Sequence, residues 1–272
     1  MIWFCSWMFQ MSVDVVIVTK SVDDVLADTI KGLKTYPFAK VIVVAAKEST
    51  RPRWCDFLAV DKGKLGKARN TGVDMSKAEY ICMVDEDIVL TPGYVEKLLE
   101  YFDDSRVASV GGRLESAIET VYALTKAQVF RGYCKTNSDV PCGGTVYKTT
   151  LLKKERFNDD LSGGEDHELH ARLKRKGFRI VYTEKASCIH HFKGNIKNEI
   201  FLCMLSGART GFVPCLLRAV ASPIRSLVLA TACRDNLYSM LIPPFYVTQW
   251  VAHVFGAFFT EQEIRAKMKA LS

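Results

Sequence analysis

Apolar residues in this chain come in short continuous runs, and most runs are followed by a turn or by a stretch with helical spacing. The run at 13–19, Val-Asp-Val-Val-Ile-Val-Thr, is rich in β-branched residues and predicts a strand. Residues 22–35 place Val22, Val25, Leu26, Ile30 and Leu33 at helical intervals. Further strands are predicted at 40–46, 57–60, 80–84 and 107–111, with helices at 66–75 and 92–102 between them. Such alternation predicts a mostly parallel, Rossmann-like sheet flanked by helices, an α/β architecture.

The middle of the chain is less regular. Residues 120–133 read as a helix, and 143–147 as a short strand after a double glycine. A loop at 161–166 feeds a helix that Gly177 ends, with Arg175 and Lys176 in its last turn. Two strands follow, 179–183 and 186–189, the second running into His190-His191. Beyond Gly194 the pattern changes to apolar helices interrupted by Pro214, Pro223 and Pro243-Pro244. The pattern divides the chain into an α/β domain at 12–193 and a helical region at 194–272.

Composition sharpens this division. The 272 residues are 49% hydrophobic and 25% charged, enough for a sizeable core and unlike a disordered chain. Between 193 and 259 six cations face only Glu199 and Asp235, which concentrates +4 of the chain's +7 in its most apolar segment. Basic and apolar together point to an anionic membrane surface, not to nucleic acid. Residues 237–259 hold no Asp, Glu, Lys or Arg, a length that crosses a bilayer with a kink or lies in its interface. Nine cysteines without a Cys-x-x-Cys pair fit a reducing, cytoplasmic setting at the membrane's cytoplasmic face. The first ten residues are too short to span and lead directly into a strand; they are a small interfacial anchor, or Met11 is the start.

The chemistry concentrates in four places. At 80–87 four apolar residues after Tyr80 run into Asp85-Glu86-Asp87. Carboxylates crowded at the end of a buried strand repel one another and persist most easily around a cation. Asp85 and Asp87 can face one ion, leaving the remaining positions of Mg²⁺ or Mn²⁺ to water and phosphate, while Glu86 points elsewhere. The competing reading is an acidic turn capping the next helix. Gly163-Gly164-Glu165-Asp166-His167 places carboxylates at a helix start, where one suits the role of general base; an acidic cap is the alternative. The turn at 61–72 supplies glycines with Lys64, Lys67 and Arg69, suited to a diphosphate. His190 or His191 could complete a metal shell or touch phosphate.

Taken in order, Val15–Thr19, Gly66-Lys67-Ala68-Arg69-Asn70-Thr71-Gly72, Asp85-Glu86-Asp87, Gly143-Gly144, Gly164-Glu165-Asp166 and His190 resemble the family 2 glycosyltransferases, inverting enzymes of the GT-A fold that use nucleotide-diphosphate sugars. The resemblance covers about residues 13–193 and implies an Asp-x-Asp in which Asp87 binds the metal and Asp85 lies near the sugar or ribose. It implies Asp166 as the base and Glu165 as its companion. Thr19, Glu48, Lys67, Arg69, Asp85 and Glu86 are then the candidate donor contacts, and Asp85, Asp87 and His190 the candidate ligands of Mn²⁺ or Mg²⁺. Where the family has an Asp after the second strand, this chain reads Val44-Ala45-Ala46-Lys47-Glu48, with Glu48 the candidate substitute. The apolar tail resembles that of members acting on lipid-linked acceptors. A polyprenyl-phosphate sugar synthase and a non-catalytic membrane adaptor remain as alternatives.

Overall fold

The computed structural model describes residues 12–192 and 195–270. The anchor or Met11 start expected at the N-terminus, and the boundary at 193 and 194, lie outside the described residues.

The first strands form where the apolar runs predicted them: β1 (Val13–Thr19), β2 (Lys40–Ala45), β3 (Phe57–Val60) and β4 (Tyr80–Asp85). Between them lie α1 (Ala27–Leu33) and α2 (Leu65–Met75), with a single 3-10 turn over Val22–Asp24 where the helix expected at 22–35 was to begin. β5 (Ile88–Leu90), α3 (Tyr94–Leu99), β6 (Val107–Ser116) and α4 (Val121–Asn137) follow. Next come β7 (Thr145–Lys148), α5 (Thr149–Glu155), α6 (Glu165–Arg175) and β8 (Arg179–His190), the last a single strand where two were expected.

The eight strands form one sheet in the order β3-β2-β1-β4-β7-β6-β8-β5. β3, β2, β1 and β4 run parallel. β7 is antiparallel to both β4 and β6, and β5 is antiparallel to β8. The sheet is therefore mixed, and the parallel character expected of it belongs to the N-terminal half. Connection length alone does not set direction: β6 and β7 pair antiparallel although the long connection through α4 joins them, and β5 meets β8, a strand far along the chain, in the opposite sense.

The continuous apolar runs are explained by burial on both faces. On one face Val15, Ile17, Val43, Cys82 and Val84 pack with Leu33 of α1 and Leu98 of α3. On the other, Val16, Ile42, Ile81 and Met83 pack with Val73 of α2 and with Leu169 and Leu173 of α6.

By internal contacts the chain divides into two compact units. The first comprises the residues up to Glu115 with Ser138–His190, and holds nearly the whole sheet. The second comprises Ser116–Asn137 with the residues from His191 on. The division differs from a boundary at 193/194 because α4, though it lies within the α/β stretch of sequence, packs with the C-terminal helices. There Lys126 and Tyr122 of α4 bond to Glu199, and Arg131 pairs with Asp235 at 2.8 Å. The C-terminal helices are α7 (Ile196–Thr210), α8 (Phe212–Ala232), α9 (Ile242–Gly256) and α10 (Glu261–Ala270). The uncharged run at 237–259 is broken into a 3-10 turn, Leu237–Leu241, and the 15-residue α9. At about 1.5 Å per residue α9 is shorter than the roughly 30 Å hydrocarbon core. α8, by contrast, has the length and composition to cross one.

Candidate active site

β4 delivers the acidic triplet to the edge of the parallel half-sheet, beside the end of β1, through the register Val18↔Asp85. The three carboxylates then diverge. Glu86 turns back toward β1, where Thr19 Oγ1 donates to Oε2, and its carbonyl accepts from Leu26 N at 3.0 Å. Asp87 lies next to β8, because the antiparallel register Ile88↔His190 brings the end of that strand alongside; Asp87 Oδ1 is 3.5 Å from His190 Nε2. Asp85 turns to Arg69, whose Nη2 donates to Oδ1 at 3.1 Å.

Arg69 is buried, and its Nε donates to Glu165 Oε1 at 2.9 Å. Burial works against the guanidinium charge, but surrounding anionic groups, Asp85, Glu165 and Asp166 among them, outweigh it and hold Arg69 above its ordinary value. Glu165 is 2% exposed, and its Oε2 has no partner among the described residues. The pair thus joins the strand-end Asp85 to the first turn of α6 through one cation. We expect Arg69→Leu to lower unfolding stability by about 3–5 kcal/mol in urea titration, because it leaves the Glu165 charge buried without its partner. A loss below about 1 kcal/mol would show that the pair is structurally dispensable.

The turn expected to hold a diphosphate has a second employment. Gly66 N donates to Leu161 O at 3.0 Å, and a β carbon at Gly66 would stand 2.0 Å from Asn158 O. Asn70 donates to Phe157 O at 2.8 Å and to Asp159 Oδ1 at 2.7 Å. Gly66, Arg69 and Asn70 therefore stitch α2 to the loop and helix that carry Glu165 and Asp166. Lys64 donates to Asp160 O at 2.9 Å, and Lys67 is exposed to solvent. Glu48 is not brought into the cluster: its side chain is 85% exposed and lies 3.8 Å from Lys62.

Asp166 is set by the backbone. Gly164 precedes α6 with φ of 73°, a conformation that favours glycine, and the helix starts at Glu165. Asp166 Oδ2 accepts from Cys142 N at 2.9 Å and Oδ1 from His167 N at 2.8 Å. Each oxygen keeps a further lone pair for a hydroxyl proton.

Behind Asp166 lies a network that the motif reading did not include. His167 Nδ1 donates to Asp139 Oδ2 at 2.9 Å and His170 Nδ1 to Asp139 Oδ1 at 2.5 Å. His170 Nε2 meets the Tyr147 hydroxyl at 3.0 Å. Burial pushes the Asp139 carboxyl up, but the two imidazole N–H bonds outweigh it and hold it below the usual carboxylate range. The bond to Asp139 holds His167 above its ordinary value, against burial. Two histidines three apart on one helix face were the available signal; their partner, 28 residues from His167, was not.

Among the described residues, no three His, Cys, Asp or Glu side chains gather as a cation site. The grouping expected of Asp85, Asp87 and His190 is narrowed to Asp87 with His190, because Arg69 engages Asp85. A carboxylate oxygen beside an imidazole nitrogen fits Mn²⁺ or Mg²⁺ whose other positions go to phosphate and water.

The sequence model of glycosyl transferase family 2 matches residues 46–193. The pre-mycofactocin glycosyltransferase of Mycobacterium tuberculosis is 25% identical over 146 residues, which cover 49% of this chain and 31% of that protein. The matched region thus spans under a third of the curated relative. Among solved structures, the mannosyltransferase PcManGT from Pyrobaculum calidifontis, in complex with GDP-Man and Mn²⁺, superposes with a TM-score of 0.60 at 13% identity, over 94% of this chain and 92% of that one. The TarS 1–349 fragment from S. aureus in complex with UDP-GlcNAc gives 0.53 at 12% identity, over 94% and 92%. These likenesses identify the mixed sheet and its flanking helices as the GT-A fold.

Proposed function

The chain belongs to glycosyl transferase family 2 and has the GT-A fold, and from that premise we propose that it moves a sugar from a nucleotide-diphosphate donor to an acceptor hydroxyl with inversion at the anomeric carbon. The observation that carries the reading is Asp166, an ionisable carboxylate held by two backbone N–H groups at the first turn of α6, joined to the Asp85 strand end through Glu165 and Arg69.

Asp166 takes the proton of the attacking hydroxyl as the new glycosidic bond forms. Backbone anchoring fixes where that carboxylate stands, and orientation of this kind removes part of the barrier before reaction begins. Asp85 receives the sugar or ribose of the donor, with Arg69 orienting its carboxylate. Lys67 meets the diphosphate. Asp87 and His190 would hold Mn²⁺ or Mg²⁺, which when bound supplies positive charge to the departing diphosphate. Thr19 and Glu86 close the donor side next to β1.

The acceptor is a glycan that is lipid-linked or close to a membrane, at the cytoplasmic face. Two features support this: the exposed apolar surface of the second unit, and the cysteines of the described residues, all free and buried as in a reducing compartment.

A panel of nucleotide-diphosphate sugars tested by thermal shift with and without Mn²⁺ examines the reading. One donor is expected to raise the melting temperature in a concentration-dependent way, and NMR of the product to show an inverted anomeric centre. Absence of stabilisation by every UDP-, GDP- and dTDP-linked sugar would refute it.

A further inference from the structure

The exposed large hydrophobic residues of this protein are not scattered. Of the nineteen among the described residues, all but Phe57 and Val60 belong to the second unit, far more than the isolated apolar side chains usual on a soluble surface. They concentrate on α8.

α8 is inside-out. Its packed side is a narrow stripe of Cys215, Ser222, Ser226 and Leu229, spaced seven, four and three apart. The two serine hydroxyls are satisfied within the helix, Ser222 Oγ donating to Ala219 O and Ser226 Oγ to Pro223 O, both at 2.7 Å. At 100° per residue, Val213, Leu217, Val220, Ile224, Leu227 and Val228 fall in the opposite third of the wheel, about 130–170° from the centre of that stripe. All six are exposed, Val220 by 73% and Ile224 by 72%. A helix folded for water would place these residues inward and the serines outward. Small and hydroxylated residues on the packed side with branched aliphatics outside is the arrangement for hydrocarbon surroundings.

The charges determine how the helix meets them. α8 contains Arg218 and Arg225, both exposed, and no Asp or Glu. They are the seventh and fourteenth residues of a 21-residue helix, so a transmembrane placement would put both within the hydrocarbon, where charge is costly. On the helical wheel both lie on one flank, between the packed stripe and the outward face. Arg218 is held there with its guanidinium 5.6 Å over the Trp250 ring of α9. With the helix axis parallel to the membrane, the outward face enters the acyl region and both arginines sit at phosphate depth. A second copy is a poorer occupant, since a two-fold contact would bring two arginine flanks together without a carboxylate on either α8 to pair with them.

We propose that the outward face of α8 is a membrane-docking surface that lies in the plane of an anionic leaflet, with Arg218 and Arg225 on lipid phosphates. This deepens the membrane-proximal reading above and rests on it only for the choice of acceptor.

The test uses the full chain and vesicles of phosphatidylcholine with or without phosphatidylglycerol. Wild type is expected to float with anionic vesicles and to be released by high salt. The double variant Val220→Asn, Ile224→Asn, altered only at exposed positions, should bind at least about tenfold more weakly. Arg218→Gln with Arg225→Gln should lose the preference for anionic vesicles. Nitroxides on cysteines introduced at Val213, Val220 and Val228 should report equal immersion. A maximum at 220 with shallow ends would mean a spanning helix and overturn the in-plane assignment. Undiminished flotation of the asparagine variant would overturn the surface itself. Labels shielded in a lipid-free dimer would assign the face to a second copy. Donor-induced thermal stabilisation, measured on the same proteins, separates the two readings: its loss in wild type would sink the transferase while leaving the membrane surface intact.

Discussion

Asp166→Asn is expected to bind the nucleotide-sugar donor as wild type does and to turn over roughly a hundred- to ten-thousand-fold more slowly, the range for loss of a general base. The substitution keeps volume and removes basicity. One backbone contact is retained: an amide oxygen can accept from either Cys142 N or His167 N, but the amide nitrogen then faces the other donor. A stability loss of about 1 kcal/mol is therefore expected beside the kinetic effect, and turnover is to be expressed per folded molecule. Glu165→Gln is not a neutral control, because Glu165 carries the buried bond to Arg69; it should lower stability more than Asp166→Asn while costing less turnover per folded molecule. Near-normal turnover of Asp166→Asn on a verified acceptor would rule out the hydroxyl mechanism. It would favour an acceptor already anionic, such as a polyprenyl phosphate, which needs no base.

Asp87→Ala is expected to abolish the metal dependence of donor binding. In calorimetry, wild type should bind the donor at least about tenfold more tightly with Mn²⁺ or Mg²⁺ than in chelator, whereas Asp87→Ala should show the weak affinity in both. The prediction rests on Asp87 facing His190 across the β5/β8 pairing. His190→Ala should have the same sign and a smaller size, since it removes a neutral donor and leaves the carboxylate. Asp85→Ala should differ in kind, lowering stability through Arg69 as well as donor affinity. Equal donor affinity of wild type in chelator, with activity intact, would sink the metal assignment.

Much of this architecture was legible along the chain. β1, β2 and β4 are covered on both faces, so their apolar runs are unbroken and stand out. α6 was bounded by a glycine on each side, and Glu165 and Asp166 were readable as a site because they follow a glycine pair directly at its start. β5 was not legible, since three residues carry no periodicity and its existence depends on β8 lying beside it. α4 looked like part of the α/β stretch, and only its packing and its bonds to Glu199 and Asp235 assign it to the second unit.

The same distinction runs through the site. Residue types in order were enough for the family, the acidic strand end and the base candidate, because each is a local pattern. Local patterns do not say which charges meet. Arg69 was readable as a phosphate ligand from the lysines and glycines around it, yet Glu165, 96 positions away, is its partner, and that partnership also draws Asp85 away from Asp87. Asp139 had no motif at all until the fold placed it under two imidazoles. In the C-terminal region the sequence by itself determined that the helices are apolar and basic. Which side of α8 is buried was decided by packing alone, since a helix with branched aliphatics on one side and serines on the other can bury either, and the neighbours it meets select the serines.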